Sequence, residues 1–325
     1  MHPLQCRLQT TARSSQGIRR ARRTPVVGRG VAYLWRLGVS LVLQEGFRVR
    51  IVSWNVRYLG LETRLAEVVD RLVESGADIV ALQEVTLSLL DSAAGLLENY
   101  GYGSHVDSIA RASEGPYGRK PFGCLVASKW PTAPGPNDWR LEAPFPESFA
   151  RAIVSTPSGP VDVTSVHAPN GSGNGWKKVA TFRALAKALA EPAGMRQIVA
   201  GDFNEPKELR ADGSILTFSE VDFEDRSAGH RLWTDRDGQT GDLREWEDAV
   251  QAVLGAKPVH KLRNAHLVVN GGIFEPKTHF AGGHVGRWFD HILVSPEFSI
   301  DKCGVYSEWL QSGTSDHAGV WADLT

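Results

Sequence analysis

Cysteine is nearly missing from this chain, with three in 325 residues, at Cys6, Cys124 and Cys303. Three thiols cannot make an even disulfide framework, and none of these spacings suits a metal. Disulfide-stapled scaffolds and thiolate zinc sites are therefore excluded. Reduced, buried thiols at Cys124 and Cys303 are expected instead, as in a cytoplasmic protein. Long apolar runs are also lacking. The best candidate, Gly30 to Leu43, is interrupted by Arg36, and its unbroken part is far too short to span a bilayer. No internal repeat is visible, and no low-complexity tract lies outside the first residues, so solenoids and arrays are set aside. A surplus of one charge is absent too: the formal net charge is −1.

That balance hides an asymmetry. Residues 1–47 hold eight Arg and one Glu, a net of +7, which leaves −8 on the rest of the chain. The segment 1–46 also differs in kind, with Arg19-Arg20-Ala21-Arg22-Arg23 ahead of the broken apolar stretch. Secretory, twin-arginine and organelle-transit leaders share some of this character, but no small-residue cleavage site follows clearly. The expectation is a disordered basic extension, or a start placed upstream of a mature chain beginning near Phe47. Residues 47–325 then form the working domain. Its acidity weighs modestly against bulk duplex DNA as a substrate, because sequence-indifferent DNA binders are usually basic.

What is present is a set of polar clusters, each beside a strand-like run: Ser53-Trp54-Asn55, Leu82-Gln83-Glu84, His167-Ala168-Pro169-Asn170, Gly201-Asp202-Phe203-Asn204, Phe289-Asp290-His291 and Ser315-Asp316-His317. Four follow short β-branched runs, such as Ile51-Val52 and Ile198-Val199-Ala200, which read as strands. Side chains at the carboxyl ends of neighbouring strands converge on one rim. Carboxylates, amides and imidazoles gathered there suit a hard cation and proton transfer near a phosphate. Between the runs, apolar spacing predicts helices over 62–75, with Gly76 as a stop, over 175–190, and over 243–254. Strands at 151–156 and 161–166 flank a Pro157-Ser158-Gly159-Pro160 turn. Helices between some strands and hairpins between others predict two packed sheets with helices outside.

The strings Ile51-Val52-Ser53-Trp54-Asn55, Asp78-Ile79-Val80-Ala81-Leu82-Gln83-Glu84, Gly201-Asp202-Phe203-Asn204 and Ser315-Asp316-His317 together resemble the endonuclease/exonuclease/phosphatase superfamily. His167-Ala168-Pro169-Asn170 and Asp290-His291-Ile292-Leu293-Val294 match more loosely. The resemblance runs from about Val49 to the end and is poor from about Pro206 to Gly286, a variable insertion expected to bear on substrate choice. It implies an α/β fold, a four-layer α/β/β/α sandwich of two mixed sheets like deoxyribonuclease I. It also implies hydrolysis of phosphodiester bonds with Mg²⁺, or alternatively Mn²⁺. A nuclease is the leading expectation, with nucleic acid as a candidate partner. A phosphatase or phospholipase on a small or lipid phosphoester is the alternative, and a non-catalytic binding protein on this scaffold is disfavoured.

By the same resemblance, Asn55, Glu84 and Asp316 are the metal ligands, Asp316 through water. Asp202 and Asn204 hold the attacking water, and their two-residue spacing on extended chain points both side chains one way. Asp290 orients His317, which faces the phosphate, while His167 contacts the phosphate or the leaving oxygen and Asn170 binds substrate. For each residue alone the bland alternative is a turn, a cap or a packed histidine. Two departures stand out. His167 is followed by Pro169-Asn170, a mixture of branches, and Trp288 lies where many relatives carry Arg, with Arg287 one place earlier. Trp176, near Lys177 and Lys178, reads either as a stacking platform or, at least as readily, as an inward-packed helix start. His230, His260, His266, His279 and His284 show no ligand spacing and are expected on the surface or in packing.

Overall fold

The run from Val49 to Asn55 is rich in β-branched residues, and period-two alternation gives it two apolar faces. The computed structural model, which describes residues 47–110, 120–136, 142–191, 193–219, 232–272, 274–281 and 285–325, forms strand β1 (Val49–Asn55) there and buries both faces. The segment 1–46, His230 and His284 lie outside the described residues. Helix α1 (Leu61–Glu74) follows and ends before Gly76, whose φ of 70° is left-handed, as a glycine stop requires. Strand β2 (Ile79–Thr86) then pairs parallel with β1, Ile51 beside Ile79 and Asn55 beside Gln83. Helix α2 (Leu90–Asn99) and strands β3 (Ser104–Asp107) and β4 (Phe122–Ser128) complete the first half.

The second half repeats the theme. Strand β5 (Thr132–Pro134) lies beside β6 (Phe149–Thr156), which forms the expected hairpin with β7 (Gly159–His167). After a single turn, α3 (Gly171–Asn174), helix α4 (Trp176–Ala190) crosses over to β8 (Arg196–Asp202), parallel to β7. The strand Asp290–Val294 runs antiparallel to β8 with Asp290 opposite Asp202. The strand Gly319–Leu324 returns to the first sheet beside β1. Among the described residues the two large sheets have six strands each. Their orders are Ile300–Tyr306, Gly319–Leu324, β1, β2, β4, β3 and Arg263–Asn264, Asp290–Val294, β8, β7, β6, β5. At the middle of each is one parallel pair, joined by a helix.

Three apolar clusters fill the layers. Ile51, Ile79, Val126, Val163, Ile198 and Ile292 pack between the sheets. Val52, Trp54, Leu65, Leu72 and Leu97 pack α1 and α2 on the outside of the first. Val166, Phe182, Leu185, Val199 and Val250 pack α4 and the helix α5 (Leu243–Leu254) on the outside of the second. The result is the expected helix–sheet–sheet–helix sandwich. The amphipathic spacing over 243–254 yields α5, capped where Asp242 accepts from the Arg244 amide. Trp176 settles inward: it packs against Trp233 and Trp246 and donates its Nε1–H to the Trp233 carbonyl, so the stacking-platform reading fails.

Candidate active site

Both central parallel pairs end at the same rim. β1 and β2 bring Asn55 and Glu84; β7 and β8 bring His167 and Asp202. Local sequence explains the approach. A Cβ at Gly201 would overlap the Val166 carbonyl oxygen, so only glycine lets β8 come this close to β7 just before Asp202. In β2 the ladder to β4 slips between Leu82 and Val85, a bulge that re-aims Glu84. Glu84 takes a left-handed φ of 64°, and Arg57 and Asn204 take 53° and 51°. These are the left-handed non-glycine residues among the described ones, and all three lie at this rim. Such backbone is held against a local cost of about 1–3 kcal/mol per residue, and clusters at functional sites.

The side chains form one connected group. Asn55 Nδ2 donates to Glu84 Oε1 at 3.2 Å and, across the sheet interface, to Asp202 Oδ2 at 3.0 Å. Its Oδ1 accepts from the Arg57 amide, and Glu84 Oε2 accepts from the Tyr58 amide, each at 2.9 Å. Asn204 donates its amide N–H to Asp202 Oδ1 at 2.8 Å and its Nδ2 to the Ala168 carbonyl at 2.9 Å. His167 Nε2 lies 3.5 Å from Glu84 and 3.7 Å from Asp202. His317 Nδ1 meets Asp290 Oδ2 at 2.9 Å, and its Nε2 lies 3.6 Å from Asp202. The Ser315 hydroxyl donates to the Asn55 carbonyl and Trp54 Nε1 to the His317 carbonyl, pinning that loop to β1.

Two sequence-predicted residues stand apart. Asp316 is about half exposed, its carboxylate facing Arg57 Nε at 3.8 Å, with no hydrogen bond to Asn55 or Glu84. Asn170 is exposed and uses Oδ1 to cap α3 at the Gly173 amide. His279, expected to be a bystander, is in fact against the site: its ring is 4.4 Å from that of His317, and Nδ1 is 2.8 Å from the Asp316 carbonyl. Nothing in its sequence spacing marks it, because a hairpin (His279–Ala281 with Val285–Arg287) delivers it. His260 and His266 do pack, the former on the Val253 carbonyl and the latter against Trp288 and Phe274. Trp288 is buried, and Arg287 donates to the Lys207 carbonyl. Sequence reasoning also missed Lys178 and Glu205. Their signal was available, since Lys178 sits on the stripe of Phe182 and Leu185, where a lysine needs a buried partner.

Burial and charge divide the two imidazoles. Burial, with Lys120 and His317 adding to it, holds His167 well below the usual imidazole range, so it is neutral. Burial also disfavours the His317 imidazolium, but Asp290 and Asp202 outweigh it and raise the ring to about 10. Burial pushes the Asp202 carboxyl up to about 7 against the pull of His317. Asp202, Asp290 and His317 bring one ligand atom each within 4.8 Å of one another. The donors at the rim are carboxylates and amides, with the buried Asp290 Oδ1 lacking any hydrogen-bond partner among the described residues. That chemistry fits a hard divalent cation.

The arrangement has relatives. A 3′ phosphatase from Neisseria bound to a product DNA hairpin superposes with a TM-score of 0.56 at 21% identity, covering 84% of this chain and 98% of that one. An AP endonuclease from Archaeoglobus fulgidus gives 0.55 at 17%, with 84% and 98% covered. An endonuclease/exonuclease/phosphatase from Beutenbergia cavernae gives 0.53 at 17%, with 85% and 71% covered. At such identities these likenesses speak for the fold. No curated protein matches the sequence. The sequence profile of the Endonuclease/Exonuclease/phosphatase family, however, matches residues 52–317, from inside β1 to His317 itself, and so takes in every residue of the rim. By that match and by its fold, the chain belongs to the endonuclease/exonuclease/phosphatase family.

Proposed function

We propose that this protein hydrolyses phosphodiester bonds, as a nuclease, by in-line attack of water with a divalent cation bound. The observation that carries the reading is the meeting, through Asn55, of Glu84 from one sheet with Asp202 from the other, beside a His317 held as imidazolium by Asp290. Glu84 and Asn55 would hold Mg²⁺ or Mn²⁺, with Asp316 as a water-mediated contact. The bound cation would supply charge neutralisation at the phosphoryl oxygens. Asp202, its carboxyl raised to about 7 and joined by the Asn204 amide, orients the attacking water and, as the carboxylate, takes up its proton. His317 donates hydrogen bonds and positive charge to the oxygens that gain charge in the transition state. Neutral His167 offers an N–H to the same phosphate. Asn170 contacts substrate from the loop after β7.

Nucleic acid is the preferred substrate class, because one structural neighbour holds a product DNA hairpin and another is named an AP endonuclease. A small or lipid phosphoester is the second reading, favoured by the −8 carried outside the basic segment. Purified protein assayed with Mg²⁺ and Mn²⁺ on plasmid, abasic duplex, single-stranded DNA, RNA, phospholipid vesicles and bis-p-nitrophenyl phosphate decides between them. Hydrolysis that EDTA abolishes and either cation restores is expected, with nucleic acid cleaved best. Full activity after exhaustive chelation, or none on any substrate, would defeat the proposal.

A further inference from the structure

Lys178 of α4 and Glu205 of the loop after β8 form an ion pair, Nζ to Oε1 at 3.0 Å, with side-chain exposures of 1% and 0%. A buried pair of this kind is poor evidence for stability, since desolvating two charges offsets their attraction. Its other contacts point elsewhere. Lys178 Nζ also donates to the main-chain carbonyl of Asn204 at 2.6 Å. Glu205 Oε1 accepts from Trp246 Nε1 at 2.9 Å, and Oε2 accepts from the Phe218 amide at 3.3 Å. The ammonium lies 5.3 and 5.5 Å from the ring centres of Phe218 and Trp246. Asn204 is one of the left-handed residues of the rim, and its amide group reaches both Asp202 and the Ala168 carbonyl.

We infer that Lys178 is a positioning residue: its ammonium, aimed by Glu205 and Trp246, grips the Asn204 carbonyl and keeps that residue's amide turned toward Asp202. The peptide after a left-handed asparagine has no ladder to hold it, and a buried cation on its carbonyl fixes its plane. Trp246 belongs to α5, in the stretch from about Pro206 to Gly286 whose resemblance to the family is poor, so this clamp ties that stretch to the reacting centre. The inference rests on the hydrolytic reading only in the role given to Asn204. The bland alternative is that the pair merely fastens α4 and α5 to the loop.

The test compares Lys178→Met/Glu205→Gln, Lys178→Arg and Asn204→Ala in the full chain, on bis-p-nitrophenyl phosphate with Mg²⁺. The double variant removes both charges together and leaves no stranded ion. It is expected to keep KM and the half-saturating Mg²⁺ concentration while kcat falls roughly 10²-fold, the scale of an ångström-level misplacement. Lys178→Arg should recover part of the loss, and adding Asn204→Ala to the double variant should lower kcat no further. A folded double variant with wild-type kcat, or a loss that multiplies with that of Asn204→Ala, would overturn the inference. If the double variant does not fold, Trp246→Phe removes one donor from Glu205 and must show the same non-additivity. Side-chain amide NMR of Asn204 is independent of turnover. Its signals should move toward free-amide positions in the double variant, and unmoved signals would also overturn the inference. Should the wild type prove inactive while those signals move, the hydrolytic reading falls and the clamp stands.

Discussion

Glu84 carries two burdens at one position, a left-handed backbone and a carboxylate shared with Asn55 and the Tyr58 amide. Glycine would relieve the first and lose the second. Glu84→Ala and Glu84→Gly should both weaken metal affinity by about 10-fold or more. Of the two, the Gly variant should be the more stable by about 1 kcal/mol, since alanine keeps the Cβ that disfavours this φ. Metal-dependent thermal melts of the pair check both statements, and an Ala variant as stable as the Gly variant would remove the strain argument. His317 offers a second measurement. Its ring is raised to about 10, above the ordinary value, so the stabilisation from its charged pairing is full below about 6.5 and is lost as pH rises through about 10. Histidine NMR should place its titration there in the metal-free protein, and at least about one unit lower in Asp290→Asn. Removing the groups outright, by His317→Ala or Asp202→Ala, should lower kcat by about 10²-fold or more, and His317→Ala, which strands the buried Asp290 carboxylate, should also lower the melting temperature at pH 7.

At this scale the sequence was legible where chemistry and strand ends coincide. Asn55, Glu84, His167, Asp202, Asn204, Asp290 and His317 could be chosen because they lie in polar strings that resemble the family's, and the structure brings them to one rim. His279 could not, because its position depends on the pairing of a hairpin rather than on local pattern. Asp316 is next to His317 in sequence, yet successive side chains of a non-helical segment face apart, and it turns toward Arg57.

Among the elements, the register between β1 and the strand Gly319–Leu324 places Arg50 opposite Asp323. Asp323 is fully buried and takes a fork from Arg50, Nε at 2.7 Å and Nη2 at 2.8 Å, with Arg48 also bound to it. Burial works against its charge, but the two arginines prevail and hold the carboxyl below the usual range. A depressed carboxyl contributes stability that is present above its ordinary value near about 4 and is lost as pH falls through the lowered one. Asp323→Asn should thus cost about 1–3 kcal/mol at pH 7. Its deficit against wild type should narrow below about pH 4. Urea melts across pH test this, and a deficit that does not change with pH would show that packing, not charge, is at stake. The helices α1, α4 and α5 were readable from spacing because each buries one stripe against one sheet face. The order of strands in the sheets was not readable, since it follows from which faces meet and leaves no local trace.

For the whole molecule, the compositional break and the absence of any rim residue before Asn55 among the described residues motivate one more expectation. Removing residues 1–44 should leave kcat on a short substrate unchanged. On long DNA the full chain should show the steeper salt dependence, because each phosphate it neutralises adds about 0.9 to the log–log slope. Kinetics of both forms across a salt series check it. A shortened protein inactive on the short substrate in every salt would put the basic segment inside the fold.

The strand Gly319–Leu324 joins the first sheet between β1 and the strand Ile300–Tyr306, and His317 lies just ahead of it. During synthesis on the ribosome, then, β1 waits for the strand Gly319–Leu324, which is made long after it. A nascent chain that already displays Glu84, His167 and Asp202 still lacks both the imidazolium and the neighbour that closes β1. The rim is complete only once the strand Gly319–Leu324 has been made and has joined β1, bringing His317 up to the residues that wait there.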